Sequence, residues 1–297
     1  MKVLITGVTG FIGRRLEKFI DPADEIYALC LPSLGSLGSG VKVVLGDLAD
    51  LSSFSARLAE INPDVCIHLA WQGLPDYGFE ASRKNLEQGT ALFRFLAEEC
   101  GCCRIVALGS CWEYGKSLGS CREDDTVATS SYFVWAKHAL CDMGLMLAAK
   151  YQLSFVWMRL FYVYGPGQRS ESLIPTLIRS LKQGDLPVVK TPANANDFVF
   201  VDDAAKALLL AAKKDVLTGI YNVGTGWACP VWKVCEILER SMGRKPEYAQ
   251  QLRASTAAPT AEFWADMSKT EKILGWRAGV SLEQGLQECI HSWGGER

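Results

Sequence analysis

The sequence predicts an α/β chain built on a doubly wound parallel sheet, with a smaller C-terminal region folded against it. Three observations carry this. Short apolar runs alternate with longer stretches whose apolar residues recur at helical spacing, the pattern of parallel strands joined by crossover helices. The first apolar run, Val3-Leu4-Ile5-Thr6, passes straight into a glycine-rich turn, Gly7-Val8-Thr9-Gly10-Phe11-Ile12-Gly13. No internal repeat or low-complexity linker divides the chain.

Element by element, the run at 3–6 reads as a buried strand and 10–19 as the helix that follows its turn. Further strands are predicted over 25–31, 41–45, 65–70, 104–108 and 154–160, with helices over 52–61, 85–100 and 132–150. Right-handed crossovers then place helices on both faces of the sheet. The second half is less regular, with helices over 172–183, 201–213, 230–241 and 281–293 and a short strand over 219–223. The expected division is 1–165 for the sheet domain and 166–297 for the smaller region, with about 196–225 returning to the sheet.

The chain has 297 residues, 49% of them hydrophobic and 22% charged, with a net charge of −2. That suffices for a buried core and gives no basic excess for nucleic acid. The apolar opening is too short for a signal peptide or a membrane span, so a cytoplasmic protein is expected. The 11 cysteines then read as reduced thiols. Cys100, Cys102 and Cys103 cluster, but the histidines, His68, His138 and His291, lie elsewhere in the sequence, so no metal site is expected.

The glycine turn is the strongest local signal. A dinucleotide diphosphate needs backbone amides at close approach and the positive end of a helix, and glycine permits both the turn and the contact. Gly7, Thr9, Gly10, Phe11, Ile12 and Gly13 are therefore candidate cofactor contacts. The end of the second strand, Cys30-Leu31-Pro32-Ser33, offers neither an acid for a ribose diol nor an arginine for a 2′-phosphate. NAD(P) stays open there, with a slight lean to NADP because no carboxylate would repel its phosphate. Ser33 and Ser36 are placed to hydrogen-bond either form.

With those residues in view, the chain resembles the extended short-chain dehydrogenase/reductases, the NAD-dependent epimerase/dehydratase family, over nearly its whole length. Gly46-Asp47-Leu48 resembles the loop at the adenine, and His68-Leu69-Ala70-Trp71 the segment under the cofactor ribose. The resemblance adds Asp47, Leu48, Leu69, Ala70 and Trp71 to the cofactor contacts. Asn85 with Gly89-Thr90, Asp197-Phe198, Tyr221-Asn222-Val223-Gly224 and Leu274-Gly275-Trp276 fall in the family's order. It implies a Rossmann sheet, a nicotinamide cofactor, a nucleotide-diphosphate sugar as substrate, and a homodimer pairing the long helices 85–100 and 132–150. His68 itself reads as a core histidine.

Catalysis in this family uses a serine or threonine, a tyrosine and a lysine. The tyrosine hydroxyl moves the proton at the sugar oxygen; the lysine lowers its pKa and binds the nicotinamide ribose. Ser110 fits the serine and Lys137 the lysine. The residue four before Lys137, on the same helix face, is Phe133. The nearby phenol, Tyr132, is displaced by ~100° around the helix and is expected to point elsewhere. Three readings follow: an enzyme in which Tyr132, Tyr162, Cys111 or a water is the acid; a Tyr→Phe change made to trap a ligand; or a non-catalytic cofactor-binding sensor.

Sugar dehydratases of the superfamily carry an Asp-Glu pair just after the catalytic serine or threonine, where this chain has Cys111-Trp112, which disfavours dehydration. Glu113 reads as a structural hydrogen-bonding residue, turned to the other face of a strand. The segments His68–Tyr77 and Gly109–Gly115 look most like sugar 4-ketoreductases, abequose-synthase-like, and related epimerases. Reduction of a 4-keto-6-deoxy sugar is the expected reaction, with epimerisation as the alternative. Trp71, Cys111, Trp112, Tyr162, Arg169 and Asn196 are the candidate substrate contacts, Asn196 standing where the family often has a diphosphate-binding arginine. Arg159, Arg169, Lys182 and Lys190 are the charges that can replace it.

Overall fold

The structure is a computed structural model that describes residues 1–31, 40–115, 118–213, 215–255 and 257–293. The strands in chain order are β1 (Lys2–Thr6), β2 (Glu25–Cys30), β3 (Val41–Leu45), β4 (Val65–His68), β5 (Arg104–Ser110), β6 (Leu118–Cys121), β7 (Ser154–Leu160), β8 (Tyr162–Tyr164), β9 (Ala195–Asn196), β10 (Phe198–Phe200), β11 (Gly219–Val223), β12 (Cys229–Pro230) and β13 (Glu262–Ala265). The α-helices are α1 (Gly13–Leu16), α2 (Ser55–Ile61), α3 (Phe79–Glu98), α4 (Tyr132–Tyr151), α5 (Leu173–Gln183), α6 (Val201–Lys213), α7 (Val231–Ser241), α8 (Glu247–Ala254), α9 (Ser268–Leu274) and α10 (Leu282–Ser292).

The large sheet is parallel throughout, in the order β11-β7-β5-β4-β1-β2-β3. Both faces are covered, as continuous apolar strands require. Val3 and Ile5 enter one core with Val106, Met158 and the alanines of α6. Leu4 enters the other with Ile105, Ala107, Trp157 and the apolar residues of α3 and α4. That is the period-2 alternation of a strand buried on both sides. The order reverses direction between β1 and β4, so a crevice opens at their carboxyl ends.

Beyond the sheet, β12-β9-β13-β6 form a small sheet and β8-β10 a parallel pair. These adjoin a third core of α5, α7 and α10 side chains. Asp197, fully buried, holds this region to the large sheet: it accepts from the backbone of Thr225, Gly226 and Ala265 at 2.7–3.1 Å.

Several predicted elements differ in detail. The helix predicted over 10–19 is four residues of α-helix, Gly13–Leu16, followed by a 3₁₀ turn, Glu17–Phe19. Gly10 belongs to the turn, where its N–H donates to Gly7 O at 3.0 Å. Helix α3 starts at Phe79 rather than 85, because Gly78 in extended conformation is its N-cap. Strand β5 runs on to Ser110, and Cys111–Tyr114 is a 3₁₀ turn rather than strand. Among the described residues no helix is long and apolar enough to cross a membrane.

Candidate active site

The site forms at the carboxyl ends of β1, β4, β5 and β7. Its first part is the turn after β1. Gly7 has φ +71°, and a Cβ there would lie 2.7 Å from the Ala70 nitrogen. At Gly13 a Cβ would lie 2.2 Å from the Gly7 oxygen and 2.6 Å from the Val8 Cα. The backbone thus closes on itself with no room for side chains, as the close approach of a diphosphate to the main chain requires. Next to it a cavity runs between Leu29, Cys30, Leu31, Gly46 and Leu48 on one side and Leu69, Ala70 and Gln72 on the other, a slot for an adenosine. Asp47 stands at its rim, its carboxylate accepting from Ala49 N and Gln72 Nε2. Ser33 and Ser36 lie outside the described residues.

The second cavity continues from the glycine turn. Gly7, Phe11 and Gly13 form one wall, Trp71, Ser110, Phe133 and Lys137 a second, and Phe161, Gln168, Arg169 and Ser172 a third. The predicted cofactor turn and all three predicted catalytic positions therefore meet in one space. Two polar atoms of its lining residues, Trp71 Nε1 and Gln168 Oε1, are buried without a protein partner, as expected of groups that a ligand satisfies.

Ser110 ends β5, and its hydroxyl accepts from Trp112 N–H at 3.2 Å, leaving its own O–H to donate. Lys137 is 7% exposed. Its ammonium donates to Leu108 O at 2.8 Å and lies 3.9 Å from the centre of the Trp71 ring. Burial pushes the Lys137 pKa down to about 7, against the opposing pull of the Glu113 charge. Phe133 packs edge-on against Trp71 and Tyr77 at 5.3 Å and Trp112 at 5.9 Å. Tyr77 went unremarked among the sequence candidates. Its signal was its place in the loop between a parallel strand and the next helix, where such sheets bind ligands.

Other predicted residues sit elsewhere. Tyr132 is 56% exposed and packs against Phe79, away from the cavity, as the helical offset predicts. Cys111, expected to touch substrate or supply the acid, is instead buried in the sheet core, outside the cavity lining, and burial pushes its thiol well up. Tyr162 accepts from Trp112 Nε1 at 3.4 Å, and burial pushes its phenol up to about 12. Asn196 lies in the small sheet, paired through its backbone with Cys229 and Phe263, and does not line the cavity.

Arg159 is the clearest correction. Expected as a diphosphate charge, it is 1% exposed and donates to Glu113 at 2.9 Å. Glu113, wholly buried, also accepts from Ser110 N and Trp157 Nε1, so it is the structural residue anticipated, though on a 3₁₀ turn. Lys182 donates to Ile290 O, and neither it nor Lys190 lines the cavity. Of the four candidate charges, Arg169 alone does. His68 hydrogen-bonds Thr6 Oγ1 at 2.9 Å and packs on Phe93, a core histidine. Among the described residues no cluster of His, Cys, Asp or Glu is arranged to hold a metal.

A parallel sheet with a glycine turn and a serine–lysine cavity at its switch point is the architecture of a Rossmann-type, dinucleotide-binding class. The profile of the NAD dependent epimerase/dehydratase family matches residues 3–224, and the chain belongs to that family. It is 27% identical to the UDP-glucuronate 4-epimerase of Thermodesulfobacterium geofontis, over 97% of this chain and 94% of that one. Among solved structures it is similar to MoeE5 in complex with UDP-glucuronic acid and NAD, 28% identical with TM-score 0.81 and 99% of both chains covered. UDP-glucose 4-epimerase of Thermotoga maritima shares the fold at 21% identity, TM-score 0.85 and 99% of both chains.

Proposed function

We propose that the protein transfers hydride between a nicotinamide cofactor and the sugar of a nucleotide-linked sugar, reducing a 4-keto-6-deoxy sugar. The observation that carries this reading is the one cavity in which the glycine turn, Ser110, Lys137 and Phe133 meet. NAD is the cofactor that best suits it. Among the described residues lining the adenosine slot none is cationic, so a 2′-phosphate finds no partner there, and the relative MoeE5 holds NAD. The slight lean to NADP expected from the sequence is therefore not supported.

The bound nicotinamide supplies the hydride. The Gly7–Gly13 amides hold its diphosphate, and Ser110 donates to the sugar oxygen. Arg169 supplies charge for the sugar nucleotide's diphosphate. Trp71, Leu74 and Phe133 line the cavity with apolar surface, which strengthens each polar contact inside. Reduction suits a site with Phe133 because it requires a proton donor but no base to strip an alcohol.

The test follows NADH oxidation with nucleotide 4-keto-6-deoxy sugars, for the chain and for Phe133→Tyr. Turnover by either supports the reading; silence from both refutes it. The added phenol is expected to raise turnover about tenfold or more, since a positioned acid contributes ~10²–10⁴ in rate. A second reading, redox-neutral inversion at C4, is favoured by the similarity to a UDP-glucuronate 4-epimerase. It predicts that UDP-glucuronate is converted to its C4 epimer with no net change in NADH, measured by NMR.

A further inference from the structure

We propose that Lys137 is itself the proton donor to the sugar oxygen, taking the part that a phenol at position 133 would play. The inference rests on the hydride-transfer reading above and names the acid that reading lacks. In the step, hydride reaches the carbonyl carbon from the reduced nicotinamide and the C=O π bond breaks. Its electron pair takes a proton from Lys137 Nζ, directly or through one water. The lysine is left as a neutral amine and is reprotonated from solvent.

Elimination within the cavity supports this. Phe133 has no proton to give, Tyr132 points away, and Cys111 lies outside the lining. The lining groups with exchangeable protons are Trp71, Ser110, Lys137, Gln168, Arg169 and Ser172. An indole, an amide, an arginine and a hydroxyl hold their protons at neutral pH. Lys137 does not, because its charge is poorly supported. Among the described residues no carboxylate forms an ion pair with it, its ammonium donates to Leu108 O, and it sits among the Trp71, Phe133 and Trp157 rings.

The titratable groups around it leave it as the one that changes charge near neutrality. Glu113, across the turn after β5, is held by Arg159, Trp157 and Ser110 N. His68, at the end of β4, is pushed down to about 3 by burial and by Lys137 itself, so it stays neutral. Cys141, one turn along α4, is pushed up by burial, and Tyr162 is pushed up to about 12. Arg169 lies across the cavity. Lys137, brought down to about 7, is an ammonium below that pH and an amine above it. Reduction needs the ammonium, so activity is full below about 7 and falls as pH rises through it.

The experiment is the pH profile of NADH oxidation by the chain on the sugar panel, read as kcat/KM for NADH, which reports the free enzyme. The expected result is a loss of about tenfold per unit above a limb near 7. Lys137→Ala is expected to lose at least ~10²-fold and to regain part of it with added methylamine, in proportion to the protonated amine. A merely structural lysine would show no such rescue. A profile flat from pH 6 to 9, or a Lys137→Ala variant with the same limb, overturns the assignment. If Phe133→Tyr turns over while the chain is silent, the hydride-transfer reading stands and the lysine assignment falls. If both are silent, both fall.

Discussion

Gly13→Val is expected to weaken NAD binding at least ~10²-fold while leaving a folded protein. The Cβ would meet Gly7 O at 2.2 Å and Val8 Cα and O at 2.6 Å. All three are backbone atoms, so no rotamer relieves the clash and the turn itself must move. Moving it displaces the main chain that would meet the diphosphate. Losing two hydrogen bonds to a charged diphosphate, at ~1.5–3 kcal/mol each, corresponds to at least ~10²-fold in Kd. Gly10 provides the control. Its Cβ would approach only Gly7 O, at 3.1 Å, so Gly10→Ala is expected to lose less than about tenfold. Equilibrium dialysis with NAD, beside thermal melts of both variants, separates binding from folding. Undiminished binding by Gly13→Val would mean that this turn is not the diphosphate cradle.

The contrast between these glycines shows what the sequence makes legible. An apolar run of four residues leading into three glycines is a local signal, and local geometry fulfils it: strand, tight turn, short helix. The large-sheet strands and long helices are legible for the same reason, since each buries a face through its own periodicity. Elements held mainly by distant partners are not. Strands β9 and β12 are two residues each and exist because Asn194–Asn196 meets Cys229–Val231 and Phe263 across the fold. In the site, Ser110, Phe133 and Lys137 are legible from spacing. The Trp71 ring over Lys137 is not, because it arrives from the end of another strand 66 positions earlier. The true place of Arg159 is hidden likewise: a motif arginine reads as a ligand contact until Glu113 is seen beneath it.

That buried pair yields the largest effect expected on stability. Glu113→Ala is expected to cost about 3–5 kcal/mol, lowering Tm by roughly 10 °C. Glu113 satisfies three groups at once: the Arg159 guanidinium at 2.9 Å, the Ser110 amide at 2.7 Å, and the Trp157 indole through both oxygens at 3.2 Å, while its charge supports Lys137. Its removal strands a cation whose remaining support, among the described residues, is the Tyr114 ring at 4.5 Å and a weak contact to Glu123 O. Glu113→Gln keeps an acceptor for Ser110 but turns an amide donor toward two other donors, so it too should destabilise. Glu113→Gln with Arg159→Met removes the uncompensated charge, and a double-mutant cycle should recover more than half the loss. The charge also reaches the chemistry. Without Glu113 the Lys137 pKa falls further, so the limb in kcat/KM moves below 7 and the activity of the double variant at pH 7 drops even where its stability returns. A double variant that regains both stability and an unshifted limb would show that Glu113 builds the wall of the site and nothing more.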